Sequence, residues 1–234
     1  MTLQSIIDNA KRIAFFGGAG VSTESNIPDF RSQDGLYNQK YDYPPEEILS
    51  HSFFIEKPSE FFRFYRDRMI YPNAKPNAAH RKLVELEQAG KLSAIITQNI
   101  DGLHTEAGSK NIIELHGSVR RNHCMNCGKE YGLDAITSSD DIPRCTCGGI
   151  IKPDVVLYEE PLDETSIRAA IKTIYEADTL IVGGTSLGVS PARDLARMFV
   201  GRLVIINKSP TFLDRKADLV INENIGETLN TIKI

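Results

Sequence analysis

Four short and almost wholly apolar runs set the tightest limit on how this chain can fold. They are "RIAFFGG" (12–18), "LSAIITQN" (92–99), "TLIVGGTS" (179–186) and "LVIINKS" (203–209), with "DLVIN" (218–222) as a fifth. Runs of this length without polar alternation are the pattern of strands buried on both faces. Helix-like segments lie between them, at Asn77–Ala89, Thr165–Glu176 and Pro191–Phe199. That alternation predicts an α/β fold, a Rossmann-like doubly wound parallel sheet. Each run finishes in small or polar residues: Gly17-Gly18, Thr97-Gln98-Asn99, Gly184-Thr185-Ser186 and Asn207-Lys208-Ser209. Ligands of open α/β sheets bind outside the carboxyl ends of the strands, so these clusters should converge on one crevice.

Two stretches break the alternation. From 33 to 75 the chain is rich in aromatics and proline and carries the helix-like "PEEILSHSFFIEKPSEFFRFYRDRM", which predicts a helical insertion or cofactor loop. From 121 to 151 it is poor in apolar residues and rich in Gly and Cys, and burial alone cannot fold it. The cysteines are spaced Cys124-x2-Cys127-x17-Cys145-x1-Cys147. Two close pairs at that separation predict a zinc ribbon, a smaller module in which four thiolates close a tetrahedron around one structural Zn and leave no position for substrate. The metal would then supply the folding free energy that the segment lacks. The second pair departs from the usual C-x2-C by one residue, and redox thiols or free buried cysteines are the competing readings. The expected organisation is a discontinuous Rossmann-like domain (1–32, 76–120 and 152–234), the 33–75 insertion and the 121–151 zinc-ribbon module.

At 234 residues the chain is long enough for one such domain and a module. Its net charge of -4 gives no electrostatic reason to bind nucleic acid or a membrane surface. The N-terminus is interrupted by Asp8, Lys11 and Arg12, unlike a signal peptide, and no run reaches the roughly 18 apolar residues of a spanning helix. A cytoplasmic location is expected, where thiols stay reduced and clustered cysteines favour metal.

Several polar residues fall at the predicted crevice. "GGAGVSTES" follows the first strand, and Gly18 and Gly20 would let the backbone approach a pyrophosphate and present amides to it. The third glycine of a dehydrogenase fingerprint is replaced by Thr23, which disfavours hydride transfer but not dinucleotide binding. A plain chain-reversing turn would look the same. "TQNIDGLH" places Gln98, Asn99 and Asp101 past the second strand, suited to a carboxamide and a ribose or, alternatively, to capping the next helix. "PDFRS" fits a loop with an Asp29–Arg31 ion pair, and His104 fits a surface or supporting position. In "NIIELHGSV", His116 is open to three readings: metal ligand, core residue or base. Four cysteines leave it no place on the metal.

Taken together, "GAGVSTESNIPDFR", "TQNIDGLH", "ELHG", the two cysteine pairs, "PDVVLYEE", "GTSLGVSPA" and "INKS" resemble, in order and over nearly the whole chain, the sirtuin family of NAD-dependent protein lysine deacylases, in a bacterial form. The resemblance implies NAD as co-substrate, with Ala19, Gly20 and Thr23 at the phosphates and nicotinamide ribose and Phe30 and Arg31 closing over the nicotinamide side. Gln98 and Asn99 would hold the ribose, Ile100 and Asp101 the carboxamide, and Thr185, Ser186, Asn207 and Ile225 the adenosine half. His116 would be the catalytic base, assisted by Asn99 and Asp101. Val155, Val156, Leu157 and Tyr158 would pair as a strand with acyl-lysine peptide segments of other proteins. Zinc is structural in the family. Departures are Gly18 where threonine is frequent, Asn26 where glycine is usual, and Glu159 where glycine commonly follows the aromatic residue.

The implied reaction is transfer of the lysine acyl group, acetyl in the main, to ADP-ribose, releasing nicotinamide, free lysine and O-acetyl-ADP-ribose. One helical turn apart, Tyr65 and Arg68 resemble the Tyr-x-x-Arg pair with which some sirtuins hold the carboxylate of succinyl- or malonyl-lysine; a solvated basic face is the alternative. Mono-ADP-ribosyl transfer to protein and a non-enzymatic NAD-sensing module are the other functional alternatives.

Overall fold

The computed structural model describes residues 1–30, 35, 43–188 and 192–234. In chain order the strands are β1 (Ile13–Gly17), β2 (Leu92–Thr97), β3 (Ile112–Glu114), β4 (Gly117–Cys124), β5 (Glu130–Tyr131), β6 (Ile151–Val155), β7 (Thr179–Gly183), β8 (Arg202–Ile206) and β9 (Leu219–Ile221). The α-helices are α1 (Leu3–Asn9), α2 (Pro45–Ile48), α3 (His51–Glu56), α4 (Pro58–Arg68), α5 (Ala78–Gln88), α6 (Leu103–Ala107), α7 (Asp134–Thr137), α8 (Glu164–Glu176), α9 (Ala192–Met198) and α10 (Ile225–Asn230). Among the described residues no helix is long and apolar enough to cross a membrane.

All five anticipated runs form parallel strands of one six-stranded sheet, in the order β3-β2-β1-β7-β8-β9. This is the doubly wound order, and it reverses between β1 and β7, where a crevice opens at the carboxyl ends. The sixth strand, β3, comes from the apolar start of "NIIELHGSV" and pairs with β2. Because side chains alternate along a strand, Ile13, Phe15, Ile95, Ile181 and Val204 face a core built with α1, α5 and α10. Ala14, Phe16, Ile96, Leu180 and Ile205 face the opposite core with α8 and α9. The all-apolar runs are thus explained by burial on both faces.

The anticipated helices form almost as read: Asn77 and Ala89 are the caps of α5, and α8 starts one residue early at Glu164. Pro191 lies outside the described residues. The 33–75 insertion contributes α2, α3 and α4. A second, antiparallel sheet, β5-β4-β6, runs from Gly117 to Val155 and so extends beyond 121–151 on both sides. Insertion and small sheet share one core, in which Phe53, Phe54, Phe61, Phe62 and Tyr65 pack against Cys124, Cys145, Ile151 and Val155. Segments far apart in sequence therefore make one hydrophobic body facing the crevice.

Candidate active site

The glycine turn packs on the end of β7 more closely than side chains would permit. A Cβ on Gly18 would come within 2.7 Å of Thr185 Cβ, and one on Gly20 within 2.7 Å of Gly184 Cα. The amides of Gly18 and Gly20 donate to Gly183 O (3.1 Å) and Gly184 O (2.8 Å). The expectation that these two N–H groups face a phosphate is thereby corrected: they stitch β1 to β7 across the switch point. Thr23 Oγ1 donates to Gly20 O (3.0 Å) and closes the turn. Asn26 follows at φ 62°, so asparagine does keep the left-handed position where glycine is usual.

Past β2 the side chains form one connected group. Asn99 is buried, and its Nδ2 donates to Ser22 Oγ (3.1 Å), whose hydroxyl donates to Asp101 Oδ2 (2.7 Å). Asp101 Oδ1 accepts from the N–H of Leu103, the first residue of α6 (2.8 Å). Burial raises the Asp101 pKa, against the lowering effect of the Leu103 amide and Ser22 hydroxyl. Ile100 O accepts from Val119 N–H of β4 (2.9 Å), and Arg120 lies against the Asp101–Gly102 turn with Nε 3.5 Å from Asp101 O. Gln98 Nε2 reaches Thr185 Oγ1 (3.4 Å), spanning the ends of β2 and β7.

His116 is half-buried at the start of β4, and its Nδ1 lies 2.9 Å from Gln98 O. A carbonyl only accepts, so Nδ1 carries the hydrogen and Nε2 is left with the lone pair. Burial lowers its pKa, only partly opposed by the bond to Gln98. Gly117 behind it has φ 74°, and a Cβ there would sit 2.0 Å from Asp154 O, so β6 can approach only a glycine. Val156 N–H donates to His116 O (3.1 Å), which sets the expected peptide segment against the histidine.

That segment is less strand-like than expected. Only Val155 lies in β6; Val156, Leu157 and Tyr158 form a loop whose amides donate to His116 O, Glu160 Oε2 and Leu49 O. Glu159 occupies the glycine position at φ 76°, and its Oε2 accepts from Ser52 N (2.9 Å) and Ser52 Oγ (2.6 Å) of α3. Those bonds offset the left-handed backbone and fasten the segment to the helical insertion.

The adenosine-side candidates divide. Thr185 and Ser186 follow β7 and Asn207 follows the adjacent β8, so they share one edge. Asn207 spends its Nδ2 on Ser209 O (2.7 Å). The Ile225 side chain is buried in the core, in contact with Gly183, and leaves only its backbone for a ligand. Ala19 begins the short turn Ala19–Val21, and Phe30 packs half-buried on the third core. Arg31 lies outside the described residues. Tyr65 is fully buried, stacked on Phe61, with a hydroxyl that finds no partner among the described residues. Arg68 ends the helix at the surface, its Nε 2.6 Å from Asp67, so the helix does not bond the two together.

Sequence reasoning missed Ser22, which is chemically indistinguishable in "GVSTES" from its neighbours. Of the two readings of His104, the surface one is corrected: on the helix after Asp101 it forms with His80 a buried imidazole pair, ring centroids 4.7 Å apart, between α5 and α6.

Cys124, Cys127, Cys145 and Cys147 come together with all four sulfurs within 4.8 Å, at 3.4 Å for 124–147, 3.6 Å for 127–145 and 3.5 Å for 127–147. A Zn–S distance of ~2.3 Å gives tetrahedral edges of about 3.8 Å, so the cluster fits a closed metal site. The four cysteines are positioned to bind a metal ion such as zinc, and His123 takes no part.

A doubly wound sheet with a polar crevice at its switch point, beside four cysteines positioned to bind a metal ion, defines an α/β dinucleotide-binding protein. The chain belongs to the Sir2 family, whose model matches residues 18–191. NAD-dependent protein deacetylases of Clostridium acetobutylicum and Clostridium perfringens are 59% and 60% identical, each alignment covering 98% of this chain and 96% of the relative. A Sir2 homologue solved in complex with NAD is 37% identical with a TM-score of 0.89, covering 98% of this chain and 90% of that one. A Sir2 solved with a deacetylated p53 peptide and 3′-O-acetyl ADP ribose is 38% identical, also at 0.89, covering 98% and 96%.

Proposed function

We propose that the crevice performs the reaction of an NAD-dependent protein deacetylase, removing acetyl groups from protein lysines, with His116 as the base. The observation that carries the assignment is the Nδ1–H to Gln98 O bond, which fixes the tautomer and leaves Nε2 basic, while the backbone carbonyl of the same residue holds the Val156 amide. When bound, NAD would supply an electrophilic ribose carbon for the acyl oxygen as nicotinamide leaves and a ribose hydroxyl that takes the acyl group; with one water, the products are nicotinamide, free lysine and O-acetyl-ADP-ribose.

The residues' tasks follow from their chemistry. Asn99 and the ends of β2 and β7, with Gln98 and Thr185, offer amide and hydroxyl groups to a ribose. Ile100 and Asp101 are held by β4 and by Ser22 so that an amide and a carboxylate face a carboxamide. His116 Nε2 takes a ribose hydroxyl proton, a step suited to an imidazole that burial keeps neutral. Thr23 and Ala19 line the phosphate side, Ser186, Asn207 and the Ile225 backbone the adenosine side, and Phe30 and Arg31 close the nicotinamide side. The amides of Val156, Leu157 and Tyr158 are committed, so a peptide entering there donates its own N–H groups to carbonyls of the segment. The free thiols suit a reducing, cytoplasmic compartment.

Incubation with NAD and acetyl-lysine peptides should release nicotinamide and O-acetyl-ADP-ribose in equal amounts. Labelled protein without the acyl product would favour mono-ADP-ribosyl transfer instead. A second acyl preference is favoured by one observation, the buried Tyr65 hydroxyl without a partner, which would welcome the carboxylate of a succinyl or malonyl chain. If Tyr65 and Arg68 serve that chain, Arg68→Met abolishes desuccinylation and leaves deacetylation unchanged.

A further inference from the structure

The two halves of the thiolate cluster are not supported alike. In the C-x2-C half the chain between the cysteines turns back on the metal side, and the Asn126 amide donates to Cys124 Sγ (3.4 Å). The C-x-C half has one residue fewer to turn with. The Cys147 amide reaches Cys145 and the Gly149 amide reaches Cys147, and a side chain adds to them: the Tyr131 hydroxyl donates to Cys145 Sγ at 3.0 Å. A Zn²⁺ ion with four thiolates carries a net charge of about -2, which outer hydrogen bonds must disperse.

Tyr131 is itself held firmly. It lies on β5 opposite Asn122 of β4, and Asn122, 2% exposed, donates through Nδ2 to Gly132 O (3.0 Å) and toward Tyr131 O (3.5 Å). Lys129 Nζ stands 5.2 Å from the ring centre. The tyrosine is thus a donor fixed in direction by the same strand that ends in Cys124 and begins at Gly117 behind His116.

We propose that Tyr131 is an outer hydrogen-bond donor that secures the shortened Cys145–Cys147 half of the zinc site, adding a side-chain donor to the backbone amides that serve the C-x-C knuckle. Tyr131 is a positioning residue: it touches no substrate and acts on the metal through Cys145.

The test uses the full-length zinc-loaded protein and its cobalt-substituted form. Tyr131→Phe keeps the ring and its packing and removes only the donor. Zinc transfer to a chromophoric chelator should become about tenfold faster, in the range found for outer-shell partners. In the cobalt form the thiolate-to-metal charge-transfer band should move to lower energy, because a thiolate without its hydrogen bond is a better electron donor. Lys129→Met, which leaves the hydroxyl in place, should change neither. Equal release rates for wild type and Tyr131→Phe would overturn the proposal; so would faster release with an unmoved band, which would assign the effect to packing.

Discussion

The six-stranded sheet and the thiolate module wall the same crevice but owe their order to different physics. The sheet is buried from both sides: every residue of β1 and β7 is inaccessible, and two separate cores flank it. The β5-β4-β6 sheet is short, with exposed residues along β4 and two of its four cysteines exposed, and its one core is shared with the helical insertion. β4 joins the two, carrying His116 before its first residue and Cys124 as its last. Rigidity at the catalytic end is therefore drawn from the sheet by Val119 and Arg120, and at the far end from the metal.

Stripping the metal should break the comparison most visibly. Structural zinc contributes on the order of 10 kcal/mol in small modules. Chelation should abolish amide protection in β4, β5 and β6 while β1, β2, β7 and β8 stay protected by hydrogen exchange. Uniform loss of protection would mean that the two regions fold as one unit.

Acid should act in the opposite sense, on the sheet side. Burial lowers the pKa of His80 to about 4 and that of His104 well below its ordinary value. Between the ordinary value near 6.5 and the folded value the unfolded chain binds more protons, so stability is full above 6.5 and is lost as pH falls toward 4. His80 alone accounts for roughly 3 kcal/mol of that loss. Denaturant titrations at pH 7 and pH 5 should show the slope, and His104→Leu, which removes two unpartnered ring nitrogens, should flatten it. A slope unchanged by His104→Leu would count against the pair.

The smallest effects concern left-handed backbone. Asn26→Ala should cost about 1 kcal/mol at φ 62° and Asn26→Gly almost nothing, as read by thermal unfolding. Equal costs for the two variants would show that the side chain, and not the backbone, matters there.

The sheet was legible because central strands announce themselves as unbroken apolar runs, and the cysteine cluster because its spacing is close to a known pattern. What escaped reading arises only in three dimensions. β3 is three residues long and was masked by the histidine after it. The amides of Gly18 and Gly20 looked free for a phosphate because nothing local says that β7 ends beside them. Ser22 joins Asn99 to Asp101 across a sequence separation of 79 residues, and only the packing of α5 decides between the surface and supporting readings of His104 in favour of a buried one. Asn26 and Glu159 are the converse case: the departures from glycine were visible, and the structure keeps the glycine-like φ at both.

In the proposed reaction His116 works as a base in a wall that the metal would stiffen but not activate. The most direct test compares wild type with His116→Ala for zinc content, NAD binding and single-turnover formation of O-acetyl-ADP-ribose by mass. Full zinc and NAD binding with product formation reduced by at least about a hundredfold is the predicted result; a variant that still turns over at the wild-type rate, or loses activity only in proportion to lost zinc, would contradict it.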